Sequence, residues 1–142
     1  MDLAERLEDG MKQIQFLKGW SVAVGAMDVV TGLLLIVAPG LVLGLLGIAA
    51  TSEDSLVFLS WIGVFVLAVG LSYSLALGRC SRGETVWAFT ALVRILVAVF
   101  IAIQIVEGSL LPAWAMVGIS DGVVGLVQVL ILQKGWWMEA QK

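Results

Sequence analysis

The chain has 142 residues, 61% of them apolar and 13% charged, with a mean hydropathy of +1.06. Soluble domains run at about 45–50% apolar and about 25% charged, so the composition excludes a soluble globular domain and points to a membrane protein. Eight basic residues against eleven acidic ones, a net charge of −3 and no basic cluster exclude nucleic acid as a partner.

In chain order, Leu3, Leu7, Met11, Ile14 and Leu17 recur at helical three-or-four spacing. Asp2, Glu5, Arg6, Glu8, Asp9 and Lys12 fall mainly elsewhere. Residues 1–19 therefore read as a cytoplasmic amphipathic helix that lies on the inner leaflet or docks on a partner. Its acidic residues weaken attraction to anionic lipid, and it lacks the basic region and cleavage site of a secretory signal. A first span is expected over about 20–38, ending at Pro39-Gly40, where proline removes a backbone donor and glycine admits a turn. Leu41 to Ala50 is apolar but too short to cross, and reads as an outer interfacial or re-entrant piece, or as a loop packed over the bundle. Further spans are expected over about 56–77, 86–106 and 111–132. The second ends at Gly78 and the Arg79-Cys80-Ser81-Arg82-Gly83 loop, and Glu107-Gly108-Ser109 joins the last two in a tight hairpin. At about 20 residues per crossing, the four spans leave no room for a second globular domain. The expected fold is all-α: an integral membrane four-helix bundle over residues 20–133, with an N-terminal amphipathic helix and a cytoplasmic tail at 134–142.

Orientation follows from the flanking cations. Arg6, Lys12, Lys18, Arg79, Arg82, Lys134 and Lys142 all fall on one side, and the first and third loops hold none. Positive residues favour the cytoplasmic side, which places both termini there in a plasma membrane of the bacterial inner-membrane type. Trp20, Trp87, Trp136 and Trp137 then fall at the inner boundary, with Trp114 and, somewhat deeper, Trp61 toward the outer one. All six read as interfacial anchors.

Three ionisable residues fall within spans: Asp28, Arg94 and Asp121. Each costs roughly 2.5–3.5 kcal/mol to insert and needs a partner. At 1.5 Å rise per residue they lie about 13, 14 and 18 Å from the inner boundary, close enough in level to meet. They also sit on faces of small residues suited to close packing: Gly25, Thr31 and Gly32 in the first span, Ala91, Ala98 and Ala102 in the third, Gly118, Gly122 and Gly125 in the fourth. Arginine can take one carboxylate bidentately or bridge two. The three charges sum to −1, leaving one aspartate balanced by Arg94 and the other protonated or served by Thr31, Gln104 or Gln128. The cluster is then either a static lock that holds the helices in register or a proton-carrying site. The shared Asp-x-x-x-Gly-Leu at Asp28 and Asp121 is ascribed to packing rather than to an inverted repeat.

Candidate catalysis is sparse. The chain has no histidine and one cysteine, Cys80, so alone it offers no bis-histidine haem site, four-cysteine iron–sulfur site, conventional zinc site or internal dithiol. The glycines form no phosphate loop, a serine nucleophile would lack its histidine, and an Asp28/Asp121 pair lacks the context of a membrane aspartyl protease. Flanking arginines favour the Cys80 thiolate, yet it reads as an incidental loop cysteine. No cofactor is expected on this chain alone; lipid, quinone or a cofactor shared with another chain stays open.

Four close-set spans, a glycine-rich first helix ending at Ala38-Pro39-Gly40, and the apolar Leu41-Val-Leu-Gly44-Leu-Leu-Gly47 resemble the small DoxX-like membrane proteins. The resemblance covers most of the chain in architecture and carries no catalytic or cofactor residue. Some members of that group are subunits of thiosulfate:quinone oxidoreductase or associate with redox partners. The expected function is accordingly a membrane-embedded accessory or scaffolding subunit, in contact with lipid and with other membrane subunits or further copies of itself. The alternative is a small oligomeric proton-coupled transporter or channel that uses Asp28, Arg94 and Asp121.

Overall fold

A computed structural model describes residues 3–49, 52–78 and 80–139, with side chains described except at 3–7, 9, 80, 81, 138 and 139. The amphipathic pattern at Asp2 to Leu7 and Asp9, the flanking cation Arg79, the thiol of Cys80, and Lys142 lie outside this description. The chain forms α1 (Leu3–Val37), α2 (Pro39–Leu45), α3 (Glu53–Gly78), α4 (Cys80–Val106), a 3-10 turn (Pro112–Trp114), α5 (Ala115–Gln133) and α6 (Trp136–Glu139). Four helical stretches, Gly10–Val37, Glu53–Gly78, Arg82–Val106 and Pro112–Gln133, are long and apolar enough to cross a membrane. A helix is the expected form for each, because hydrocarbon offers no partner to an unpaired backbone group. The fold is an all-α integral membrane four-helix bundle.

The N-terminal segment is not set off from the first span. Both belong to α1, which runs unbroken through Gly19 because a lone glycine weakens a helix without ending it. The break comes at Pro39, which opens α2 at a position where a missing N–H costs nothing. The short apolar stretch beyond the first span is thus mostly helix, and it lays Leu43 into a cluster with Leu35 and Leu59. Gly108 and Gly135 close the ends of α4 and α5 with φ of 73° and 71°, a region that disfavours side chains.

The four long helices associate as two tight pairs. In the α1/α3 pair, Gly25 and Gly32 lie against Gly70 and Gly63, so the backbones approach closely. A methyl on Gly32 would sit 2.5 Å from the Leu67 backbone nitrogen, and one on Gly70 would sit 2.7 Å from that of Val29. In the α4/α5 pair, Gly118 and Gly125 lie against Ile101 and Ile95, with more room.

Among the described residues, α3 and α4 are the long helices of different pairs whose backbones run closest along the spans. The pairs converge at the end that holds both termini, where Leu17, Val24, Tyr73, Ala76, Trp87, Ile131 and Trp137 form a core drawn from every long helix and from α6. At the opposite end, Trp114 reaches from the 3-10 turn to the cluster of Leu35, Leu43 and Leu59. Between these two packed ends the pairs part around an apolar cleft of about 920 Å³.

Candidate intramembrane polar site

Helix α1 supplies Asp28, α4 supplies Arg94 and α5 supplies Asp121. Arg94 donates from one terminal nitrogen, Nη2, to Asp28 Oδ2 and from the other, Nη1, to Asp121 Oδ1. The guanidinium therefore bridges two carboxylates end-on and leaves its Nε buried without a partner. The bridging arrangement, and not the balance of one aspartate with the other left to Thr31 or a glutamine, is the one adopted. It also ties α1 to α4 and α5, which otherwise meet α1 through the side-chain core at the end that holds α6.

The site is asymmetric in exposure. Side-chain exposure is 5% for Arg94 and 8% for Asp28, but 20% for Asp121. All three line the cleft together with Thr31, so Asp121 is the charged group most open to it. Gly70 contributes from the neighbouring helix: a Cβ there would lie 2.9 Å from the Asp28 Cβ, so its lack of a side chain lets the aspartate sit against α3.

The other polar residues singled out from the sequence go elsewhere. Gln104 donates to Glu107 at the exposed end of α4, with a separation of 3.4 Å. Gln128 is fully buried one layer toward the termini, where its Nε2 donates to the Tyr73 hydroxyl at 2.9 Å and to Thr90 Oγ1 at 3.2 Å. Tyr73 in turn donates to Thr90 at 3.1 Å. Below them Trp87 Nε1 donates to Ser21 Oγ at 2.9 Å, and Ser21 donates to the Leu17 carbonyl at 2.8 Å. Gln128, Tyr73 and Thr90 thus form a hydrogen-bonded polar layer inside an apolar bundle. Buried polar groups need such partners, since an unpaired hydroxyl or amide in this setting costs several kcal/mol, roughly 2–7 by transfer measurements.

Ser21, Tyr73 and Thr90 were not singled out as site residues by sequence reasoning, although a signal exists for Ser21 and Thr90. Ser21 and Asp28 are seven residues apart, as are Asp121 and Gln128, and Trp87, Thr90 and Arg94 follow at three and four. Polar residues at heptad spacing within an apolar span mark one inward stripe.

The tryptophans divide. Trp61 is exposed, while Trp20, Trp114 and Trp136 are half-buried. Trp87 and Trp137 are 0% and 2% exposed and meet edge to face with ring centres 5.5 Å apart. The anchor reading does not extend to these two, because a ring enclosed by its own bundle has no face left for the lipid–water boundary. Among the described residues, no group of three or more His, Cys, Asp or Glu comes together as a metal site. The chain matches no family model, no curated protein and no solved structure with which it was compared.

Proposed function

We propose that this chain is an accessory or scaffolding subunit of a larger membrane complex, of an energy-converting or redox kind, without catalytic chemistry of its own. The observation that carries the reading is the end-on tie from Arg94 to Asp28 and Asp121. It commits both terminal nitrogens to joining helices, as a structural clasp does. The exterior supports the same reading. Trp61, Phe89 and Ile119 are each between 57% and 66% exposed, which suits lipid and neighbouring subunits alike. The resemblance to DoxX-like proteins belongs to this proposal, and both termini would then face the cytoplasm of a bacterial-type plasma membrane. Extraction of the native particle in mild detergent, followed by measurement of its mass and composition, tests it. A stoichiometric set of other subunits is the expected result, and a lone monomer whose deletion leaves neighbouring complexes intact overturns it.

One observation favours a second reading. Asp121 opens onto the cleft, which suits a small oligomeric proton-coupled transporter or channel. Purified protein in liposomes would then move protons or a solute, and Asp28→Asn or Asp121→Asn would stop flux without unfolding the chain. Unchanged flux in both variants removes this site from any transport path.

A further inference from the structure

The cleft is nearly all apolar, yet its floor carries the three charged groups of the polar site, whose formal charges sum to −1. Its walls include Phe58, Phe65, Phe100 and Trp114, contributed by α3, α4 and the 3-10 turn. We propose that the cleft binds one lipophilic monocation, its positive charge beside Asp121 and its apolar body between the aromatic walls. This goes beyond the subunit reading and does not depend on it.

Size, charge and wall chemistry select this occupant. A volume of about 920 Å³ lies at the upper end of the range of about 300–1,000 Å³ usual for small-molecule sites. A transmembrane helix about 10 Å in diameter would fill it within about 12 Å of its length, some two turns, far short of a crossing. A partner helix is therefore too large. A lipid acyl chain fits by volume, but it would lay hydrocarbon against a carboxylate that is one-fifth exposed, an arrangement that carries a desolvation penalty without compensation. A neutral polar head would offer a hydrogen bond while leaving the net charge of the floor uncancelled. A single positive charge cancels it, and Arg94 does not repel such a charge strongly because both its terminal nitrogens are already neutralised by carboxylates. The aromatic faces add cation–π attraction to a diffuse cation, which is stronger where water is excluded.

The test uses the full chain purified in mild detergent, with tetraphenylphosphonium as the probe and neutral triphenylphosphine oxide as a competitor of similar shape. Equilibrium dialysis should show saturable binding of one tetraphenylphosphonium per chain, with the neutral analogue at least about tenfold weaker, as expected when one charge–charge contact in a low dielectric is lost. Asp121→Asn should weaken binding of the cation by a similar factor while leaving that of the neutral compound unchanged. Val97→Trp, which fills the cleft without removing a charge, should abolish saturable binding of both and keeps the test decisive if Asp121→Asn fails to fold. Equal affinity for the cation and its neutral analogue, unchanged affinity in Asp121→Asn, retained binding in Val97→Trp, or no saturable binding would each overturn the proposal. The mass of the native particle has no part in these readouts, so the subunit reading stands or falls separately.

Discussion

Replacing Arg94 with methionine is the most informative perturbation of the polar site. The guanidinium is 5% exposed and serves two carboxylates that are 8% and 20% exposed. Removing one partner of a buried ion pair costs about 3–5 kcal/mol, mainly because the charge left behind has no compensation. Here two carboxylates are left, but the costs do not add, since a proton shared between them relieves both. Arg94→Met is therefore expected to lower stability by about 3–5 kcal/mol. The triple variant Asp28→Leu, Arg94→Met, Asp121→Leu should recover most of that loss, because well-packed apolar groups often equal or exceed a buried ion network in stability. Reversible unfolding in mixed detergent micelles, followed by tryptophan fluorescence, reports both values on one scale. An Arg94→Met variant within about 0.5 kcal/mol of the parent, the usual range for an inconsequential surface change, would refute the reasoning. So would a triple variant as unstable as the single one, since the ion network would then be a net source of stability and not a clasp whose worth lies in register.

Three other outcomes follow from the same structure. Gly32→Ala should destabilise by about 1–3 kcal/mol as an overpacked contact, because its methyl meets Leu67 and Gly63 backbone atoms at 2.5 and 2.8 Å, whereas Gly122→Ala meets only the Ala98 Cβ at 3.5 Å and should be neutral in the same unfolding assay. Tyr73→Phe removes the hydroxyl that joins Gln128 to Thr90 and should cost about 1–3 kcal/mol by leaving buried polar atoms short of a partner; retention of the parent's stability would show that this polar layer does not hold the helices together. Trp87→Ala should be severe, about 3–5 kcal/mol for a buried aromatic, while Trp61→Ala, at a site 59% exposed, should leave thermal unfolding in detergent unchanged.

Much of the architecture was legible in the sequence because the bilayer constrains it so strongly. Helices α1, α3, α4 and α5 end within one residue of the ends expected from the apolar runs and their breakers, whereas α1 and α4 begin well before the spans expected of them. The likeness in level of Asp28, Arg94 and Asp121 anticipates their meeting, since rise per residue is fixed in any helix. The allocation of partners was not legible. Gln128 and Thr31 lie on the same faces as the aspartates, and spacing alone could not tell that Gln128 turns to Tyr73 and Thr90 while Arg94 takes both carboxylates. Nor could it separate Trp87 and Trp137 from the other tryptophans, because preference for the interface and burial in a core both favour a large amphipathic ring.

Composition and hydropathy by themselves determined that the chain crosses a membrane as helices, since backbone groups in hydrocarbon must be satisfied within their own segment. Tertiary structure decided which faces meet. Glycine pairs draw α1 onto α3 within backbone contact, and bulkier neighbours set α5 on α4 with more room. The two pairs meet at the Trp87 and Trp137 cluster and, at the opposite end, at Trp114 against Leu35, Leu43 and Leu59, so they part between these ends around the cleft, which Asp121 lines. Helix packing depends on the shape of facing side chains, a property of pairs of surfaces that the periodicity of one helix does not contain.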